Sequence, residues 1–388
     1  MTARDRRRTG PTRLGARARA WRALGRVLPL LLAPVLAPVL AACGDCGRAS
    51  EPATAPRPSA SPGLDAASAD AASAAATDAA RAIVADAGAA ADARAASGVG
   101  SDAASATGHG PVRFIAVGDT GLGSARQRRV GAAMADQCRK SGCDFVVMLG
   151  DNVYPSGLAS PDDPRMRALF EEPYAGVDAP FYPTLGNHDF GGNGSGDEFE
   201  RGQYEVDYTR RSQKWKLPAA YHHFTVRGVE LFDLETNSAM FGRDATQRRE
   251  MRGFIAGSKA PWKIAFGHHP YLSNGPHGNA GSYEGARGVA IWSGDGVKSY
   301  LDGEICGKVD LYLAGHDHSL QWLSARCAGT ELIVSGAGSG PTSLPGANPT
   351  HFQSLELGFV YIVVEGRALT AEFIDTRGAV MFTRTIQK

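Results

Sequence analysis

Four times in this chain an apolar run stops at a glycine and an acidic or imidazole residue follows. The runs are Val112–Val117 before Gly118-Asp119, Phe145–Leu149 before Gly150-Asp151, Trp262–Phe266 before Gly267-His268, and Val309–Ala314 before Gly315-His316. Short runs rich in β-branched and aromatic residues read as buried strands. Between the first two runs a helical pattern extends from Ser124 to about Lys140. Strand, helix and strand with short loops make a βαβ unit, which implies a parallel sheet. In open α/β sheets, residues that bind ligands collect beyond the carboxyl ends of the strands. The four strand ends are therefore expected to meet in space. The tail reads as antiparallel strands at Glu331–Ser335, Gly358–Glu365, Leu369–Asp375 and Val380–Ile386. The predicted fold class is α/β: a two-sheet β-sandwich flanked by helices, in one catalytic domain over residues 111–388.

Composition sets that domain apart from what precedes it. Residues 1–42 hold nine Arg and one Asp, about +8, against a formal net charge of +1 for all 388 residues, so the remainder lies near −7. No basic face remains there, which argues against nucleic acid as the main partner. The Arg-rich start is followed by an apolar stretch, Val27–Ala42, broken by Pro29, Pro34 and Pro38. It is shorter than the roughly 20 residues a membrane span needs, and it reads as an export signal. Leu40-Ala41-Ala42-Cys43 resembles the bacterial lipobox, so residues 1–42 are predicted to be a lipoprotein signal peptide and Cys43 the lipidated N-terminus. Residues 43–110 are rich in Ala, Ser, Asp and Pro and nearly free of large apolar side chains. Such a segment buries too little to offset its ordering entropy and reads as a disordered tether. The expected location is the cell envelope, periplasmic or at the outer surface. Export implies an oxidising compartment. Beyond Cys43 and Cys46, the pairs Cys138/Cys143 and Cys306/Cys327 are the economical disulfides among the three pairings that four cysteines allow, with buried free thiols as the alternative.

The motifs carry chemistry as a set. Asp119, Asp151, Asn187, His268, His316 and His318 offer carboxylates, an amide oxygen and imidazoles, and Tyr154 adds a phenol. Singly, Gly-Asp is a turn and Gly-Asn-His a loop. Five motifs in this order, four of them behind strand-like runs, suit a pair of cations about 3.5–4 Å apart, an arrangement that activates water and offsets phosphoryl charge. Asp151, with two oxygens, is the natural bridge. Imidazoles suit Fe, Zn and Mn. A metal-dependent phosphoesterase is the expected class, with a small phosphorylated substrate.

Here the chain resembles the purple acid phosphatases of the small, tartrate-resistant type, within the calcineurin-like metallophosphoesterases. The likeness covers roughly 112–388. It includes Asp151-x-x-Tyr154, Lys214-Trp215-Lys216-Leu217-Pro218 with Tyr221, and Ser335-Gly336-Ala337-Gly338. It implies the α/β/β/α metallophosphoesterase fold. It also implies Fe(III) at Asp119, Asp151, Tyr154 and His318, and a divalent Fe, Zn or Mn at Asp151, Asn187, His268 and His316. A metal-bound hydroxide would be the nucleophile. His188 would contact a phosphoryl oxygen or the leaving group, and His277 would be the general acid. His269 reads as adjacent to the site. Asp189 and Asp317 either orient imidazoles or shape turns. His109, His222, His223 and His351 read as surface or structural.

The expected function is thus an exported, lipid-anchored acid phosphatase acting on phosphomonoesters. Two rivals stand beside it. One is a phosphodiesterase or nucleotidase with two ions other than Fe(III), which would be colourless. The other is a noncatalytic phosphate- or metal-binding surface lipoprotein, whose expected signature, a missing ligand, is not seen.

Overall fold

The computed structural model describes residues 110–288 and 290–388. The signal peptide, Cys43 with its lipid, Cys46, His109 and the tether through residue 109 lie outside the described residues.

The strands run in chain order as β1 (Val112–Val117), β2 (Phe145–Leu149), β3 (Phe181–Thr184), β4 (His222–Val226), β5 (Val229–Leu234), β6 (Trp262–Gly267) and β7 (Leu311–Ala314). There follow β8 (Leu320–Cys327), β9 (Thr330–Ser335), β10 (Thr350–Ser354), β11 (Gly358–Glu365), β12 (Ala368–Asp375) and β13 (Val380–Gln387). The helices are α1 (Ala125–Ser141), α2 (Glu200–Tyr208), α3 (Asn237–Met240), α4 (Ala245–Gly257), α5 (Ala290–Ser293) and α6 (Asp295–Glu304). One sheet has the order β13-β12-β11-β1-β2-β3 and the other β10-β8-β9-β7-β6-β5-β4. In the first, β1, β2 and β3 are parallel; in the second, β5, β6, β7 and β9 are parallel.

Alternation along the strands builds the layers. Val112, Phe114 and Ala116 of β1 join Phe145, Val147, Ile264, Phe266, Leu311 and Leu313 in a core between the sheets. Ile115 and Val117 point the other way, into a core shared with Val130 and Met134 of α1 and with Trp215. On the far face, Phe232, Leu234 and Ala265 pack with Met251 of α4 and Val297, Tyr300 and Leu301 of α6. Two sheets with helices outside both is the expected α/β sandwich, in a single domain.

Helix α1 shows how local signals set that register. Ser124 caps it by accepting from Gln127 N at 3.2 Å, and the Gln127 side chain accepts from Gly123 N at 2.7 Å. The first bond satisfies an N–H that has no partner in the first turn, and the second ties down the residue before the cap. The helix ends at Gly142, whose φ of 82° suits glycine.

Both economical cysteine pairs are disulfides, Cys138–Cys143 and Cys306–Cys327, with Cα atoms 4.9 and 5.0 Å apart. One expectation needs correction. The Glu331–Ser335 run is not simply an antiparallel tail strand, because β9 pairs parallel with β7 and antiparallel with β8. Strands β3, β5, β8 and β10 were not distinguished in the sequence. β3 carries Pro183 and lies at a sheet edge, where proline is tolerated. β5 reads Val-Glu-Leu-Phe-Asp-Leu, and its acids face His223 and His222 of β4, at 2.8 Å for His223 Nδ1–Glu230 Oε1 and 3.0 Å for His222 Nδ1–Asp233 Oδ2. Among the described residues no helix is long and apolar enough to cross a membrane.

Candidate metal centre

The carboxyl ends of β1 and β2 face those of β6 and β7 across the sandwich, and each hands on to a polar residue. Backbone bonds tie the ends together: Asp119 N to Gly150 O at 3.0 Å, Gly118 N to Ser335 O at 2.7 Å and Gly315 N to His268 O at 2.9 Å. The link between sheets is direct, since His316 N donates to Asp119 Oδ2 at 2.9 Å. Three site residues leave their strands in the left-handed region, Asp119 at φ 58°, Asp151 at 53° and His316 at 68°. Each costs on the order of 1–2 kcal/mol for a residue with a Cβ, and such strain concentrates at functional sites. The preceding glycines allow the close approach. A Cβ on Gly150 would lie 2.6 Å from His268 Nδ1, and one on Gly315 would lie 2.6 Å from Leu149 O and 2.7 Å from Asp119 Oδ2.

The donor atoms form two groups that meet at Asp151. On one side Tyr154 Oη lies 2.9 Å from Asp151 Oδ2, 3.0 Å from His318 Nε2 and 3.4 Å from Asp119 Oδ1. On the other side His268 Nε2 lies 2.9 Å from Asn187 Oδ1, 3.0 Å from His316 Nδ1 and 3.5 Å from Asp151 Oδ1. Thus the two oxygens of one carboxylate face two different clusters.

Protonation tests whether these groups suit a cation. His268 Nδ1 contacts the Leu149 carbonyl at 2.8 Å, and only an N–H can satisfy that oxygen. In the neutral ring Nε2 then carries a lone pair. It faces Asn187 Oδ1, whose identity as oxygen follows because Asn187 Nδ2 donates to Gly194 O at 2.8 Å. Two acceptors 2.9 Å apart have no proton between them, and a cation resolves that conflict. The carboxylates agree. Burial, then the charge of Asp151, raises Asp119 well above its ordinary value. Burial, then Asp151 and Asp119, does the same to the Tyr154 phenol. Burial holds His268 below and His316 well below the usual imidazole value, which favours the neutral form that ligates. A bound cation would reverse the penalty on the acids. The residues present fit metal ions.

His188 and His277 border the cluster, one beside Tyr154 and the other beside His316. The His188 ring lies against Tyr154 with centroids 4.4 Å apart, and Nδ1 contacts the Pro155 carbonyl at 2.7 Å, which leaves Nε2 free. Its backbone N–H donates to Asp151 Oδ1 at 2.9 Å. His277 stacks on His316 with centroids 4.0 Å apart. The structure therefore gathers Asp119, Asp151, Tyr154, Asn187, His188, His268, His277, His316 and His318 at one place.

The neighbours divide less as expected. Asp189 and Asp317 do not orient imidazole rings. Asp189 accepts from Gly186 N at 2.8 Å and Val153 N at 2.9 Å, and Asp317 accepts from His277 N at 3.0 Å, so both brace backbone. His269 is buried with Nδ1 at 2.8 Å from Thr236 Oγ1. Behind Asp151, Asn152 Nδ2 reaches Thr184 O at 2.8 Å and both Asp189 and Glu205 at 3.2 Å. Burial, then the charge of Asp151, pushes Asp189 up to about 7. Glu205, Thr236 and Glu284, which pairs with His277, were not found in the sequence. None lies in a motif, and nothing in their spacing points to the site.

Residues 112–320 match the family model described as calcineurin-like phosphoesterase. The chain belongs to that family. It is similar to purple acid phosphatase 17 of Arabidopsis thaliana, 30% identical over 59% of this chain and 69% of the relative. It is also similar to tartrate-resistant acid phosphatase type 5 of Sus scrofa, 26% identical over 70% of this chain and 85% of the relative. Among solved structures, GAP50, "the anchor in the inner membrane complex of Plasmodium", superimposes with a TM-score of 0.57 at 20% identity, covering 72% of this chain and 89% of that one. That likeness supports the fold alone. With these relatives the protein is a metal-dependent phosphoesterase, and its purple acid phosphatase resemblance holds over most of the described domain.

Proposed function

We propose that the chain is an exported, lipid-anchored acid phosphatase that hydrolyses phosphomonoesters at a binuclear Fe(III)–M(II) centre, M being Fe, Zn or Mn. The observation that carries the reading is the phenol: Tyr154 Oη sits within 3.4 Å of Asp119, Asp151 and His318. An anionic phenolate suits a trivalent ion, and a site without Fe(III) has little use for it. Asp119, Asp151, Tyr154 and His318 would hold Fe(III), and Asp151, Asn187, His268 and His316 the divalent ion.

When bound, the two cations would supply water activated near neutral pH and relief of phosphoryl charge. The chain's own groups do the rest. Asp151 sets the separation of the two clusters through its paired oxygens. The Leu149 carbonyl fixes the ring of His268, and a fixed ring presents its lone pair without reorganisation. His188, with Nδ1 engaged by Pro155 O, offers Nε2 to a phosphoryl oxygen. His277 would give a proton to the departing alkoxide.

The test uses full-length protein from iron-replete cells. The reading expects p-nitrophenyl phosphate hydrolysis between pH 4 and 8, two metals per chain by elemental analysis, and a violet colour. A metal-replete protein inactive on phosphomonoesters sinks it. A colourless, active protein with two divalent ions leaves the phosphoesterase and removes Fe(III). Anchoring is tested separately: Cys43→Ser should release the protein from the membrane fraction, and unchanged fractionation would refute lipidation.

A further inference from the structure

His277 is held at three points, and one of them is a carboxylate without a role so far. Its ring lies on His316, its backbone N–H donates to Asp317 Oδ1 at 3.0 Å, and its Nδ1 pairs with Glu284 Oε1. The segment bearing Glu284 is itself anchored. Glu284 N donates back to His277 O at 3.0 Å. The adjacent Tyr283 is 2% exposed, and its hydroxyl donates to the carbonyl of Pro270, two residues beyond His268. Glu284 takes a left-handed backbone at φ 54°, a costly choice for a glutamate on an open loop.

The pair is half open to water, with side-chain exposures of 32% for His277 and 51% for Glu284. A contact so exposed adds little to stability. Its effect is on direction instead. An imidazole fixed at Nδ1 has one free nitrogen, Nε2, and no freedom to flip.

We propose that Glu284 is the positioning residue for His277, holding Nδ1 so that Nε2 is presented as the proton donor to the leaving oxygen. This rests on the phosphomonoester reading above. In the step concerned, a water oxygen bonds to phosphorus and gives up one proton to solvent, and the bond from phosphorus to the leaving oxygen breaks. The bonding pair stays on the leaving oxygen, and the Nε2 proton moves onto it. The ring then recovers a proton from solvent. A donor matters most when the leaving group is a poor one, so the role of Glu284 should grow with the basicity of the alkoxide.

The experiment compares full-length wild type, Glu284→Ala and Glu284→Gln on glycerol phosphate and on 2,4-dinitrophenyl phosphate. For Glu284→Ala, kcat on glycerol phosphate should fall about 10–100-fold, the range for lost outer partners. On the dinitrophenyl ester, which leaves unaided, it should fall less than about threefold. Gln retains an acceptor oxygen and should recover most of the loss. Metal content should match the wild type. Equal losses on both esters, or no loss on either, overturn the proposal. A second measurement stands apart from turnover: nitrogen-15 NMR of histidine-labelled, zinc-loaded full-length protein. The His277 Nδ1–H signal should be present in wild type and lost or shifted in Glu284→Ala, and an unchanged signal overturns the hold. If wild type cleaves neither ester, the phosphatase reading fails, and the NMR result still decides whether Glu284 fixes the ring.

Discussion

Replacing Tyr154 with phenylalanine isolates one oxygen. The ring stays, so the contact with His188 at 4.4 Å between centroids is kept. What is lost is Oη, at 2.9 Å from Asp151 Oδ2 and 3.0 Å from His318 Nε2. A hydrogen bond of that kind is worth about 1 kcal/mol, too little to unfold a domain with cores on both faces of each sheet. The effect should therefore fall on metal. Of the four donors assigned to Fe(III), one anionic donor disappears. Loss of an outer partner alone costs 10–100-fold in affinity, so a direct donor should cost at least about tenfold, or 1.4 kcal/mol. The visible band should vanish, because no phenolate remains to transfer charge. The assay is an absorption spectrum with iron per chain, beside turnover of p-nitrophenyl phosphate. A variant that keeps the full band refutes phenolate ligation. A variant that loses nothing in turnover or iron, from a colourless parent, refutes the Fe(III) assignment.

Three further perturbations probe the frame. Gly150→Ala places a Cβ at φ 83° and 2.6 Å from His268 Nδ1, so stability should drop by roughly 3 kcal/mol and the divalent ion should be lost, read by Tm and metal analysis; an unchanged Tm would mean the sheets do not approach as described. Removing the Cys306–Cys327 bridge, with a sequence separation of 21, should cost about 3 kcal/mol, against about 2 kcal/mol for Cys138–Cys143 with a separation of 5, measured by denaturant unfolding; the reverse order would reject an account based on loop length. At Asp163, burial opposes the charge, yet Arg165 and the backbone N–H groups of Ala159 and Arg165 outweigh it and hold the carboxyl down at about 2. A depressed acid stabilises the fold above its unfolded value near 3.9, and that contribution is lost as pH falls toward about 2. Asp163→Asn should flatten acid unfolding over that window by on the order of 1 kcal/mol, allowing for solvent at the half-open Arg165; an identical acid limb would show that the pair contributes nothing.

What was legible in the sequence follows a physical line. Strands buried on both faces, such as β1, β2, β6 and β7, are apolar apart from Arg113 and Lys263 near their starts, so they stood out, and so did the ligand-like residues placed directly after them. Strands that carry their own polar partners did not. The acids of β5 are matched by histidines one hairpin away, and such a match is made only after folding. The same division runs through the site. Asp119, Asp151 and His316 were readable because each sits beside a glycine. The structure adds that each of them carries a positive φ, while Gly118 and Gly315 supply space and Gly150 supplies both space and a positive φ of its own. A motif glycine is usually taken to relieve strain at its own position. Here Gly315 lacks a Cβ because Leu149 O and Asp119 Oδ2 occupy that place, and the left-handed turn is forced onto His316 instead. The strain therefore lies on the donor residues themselves and is held by cross-sheet bonds such as His316 N to Asp119 Oδ2. Residues that act through a partner, as Glu284 does through His277, have no reason to lie beside a strand end. They become visible only when the loop that carries them is placed against the ring they hold.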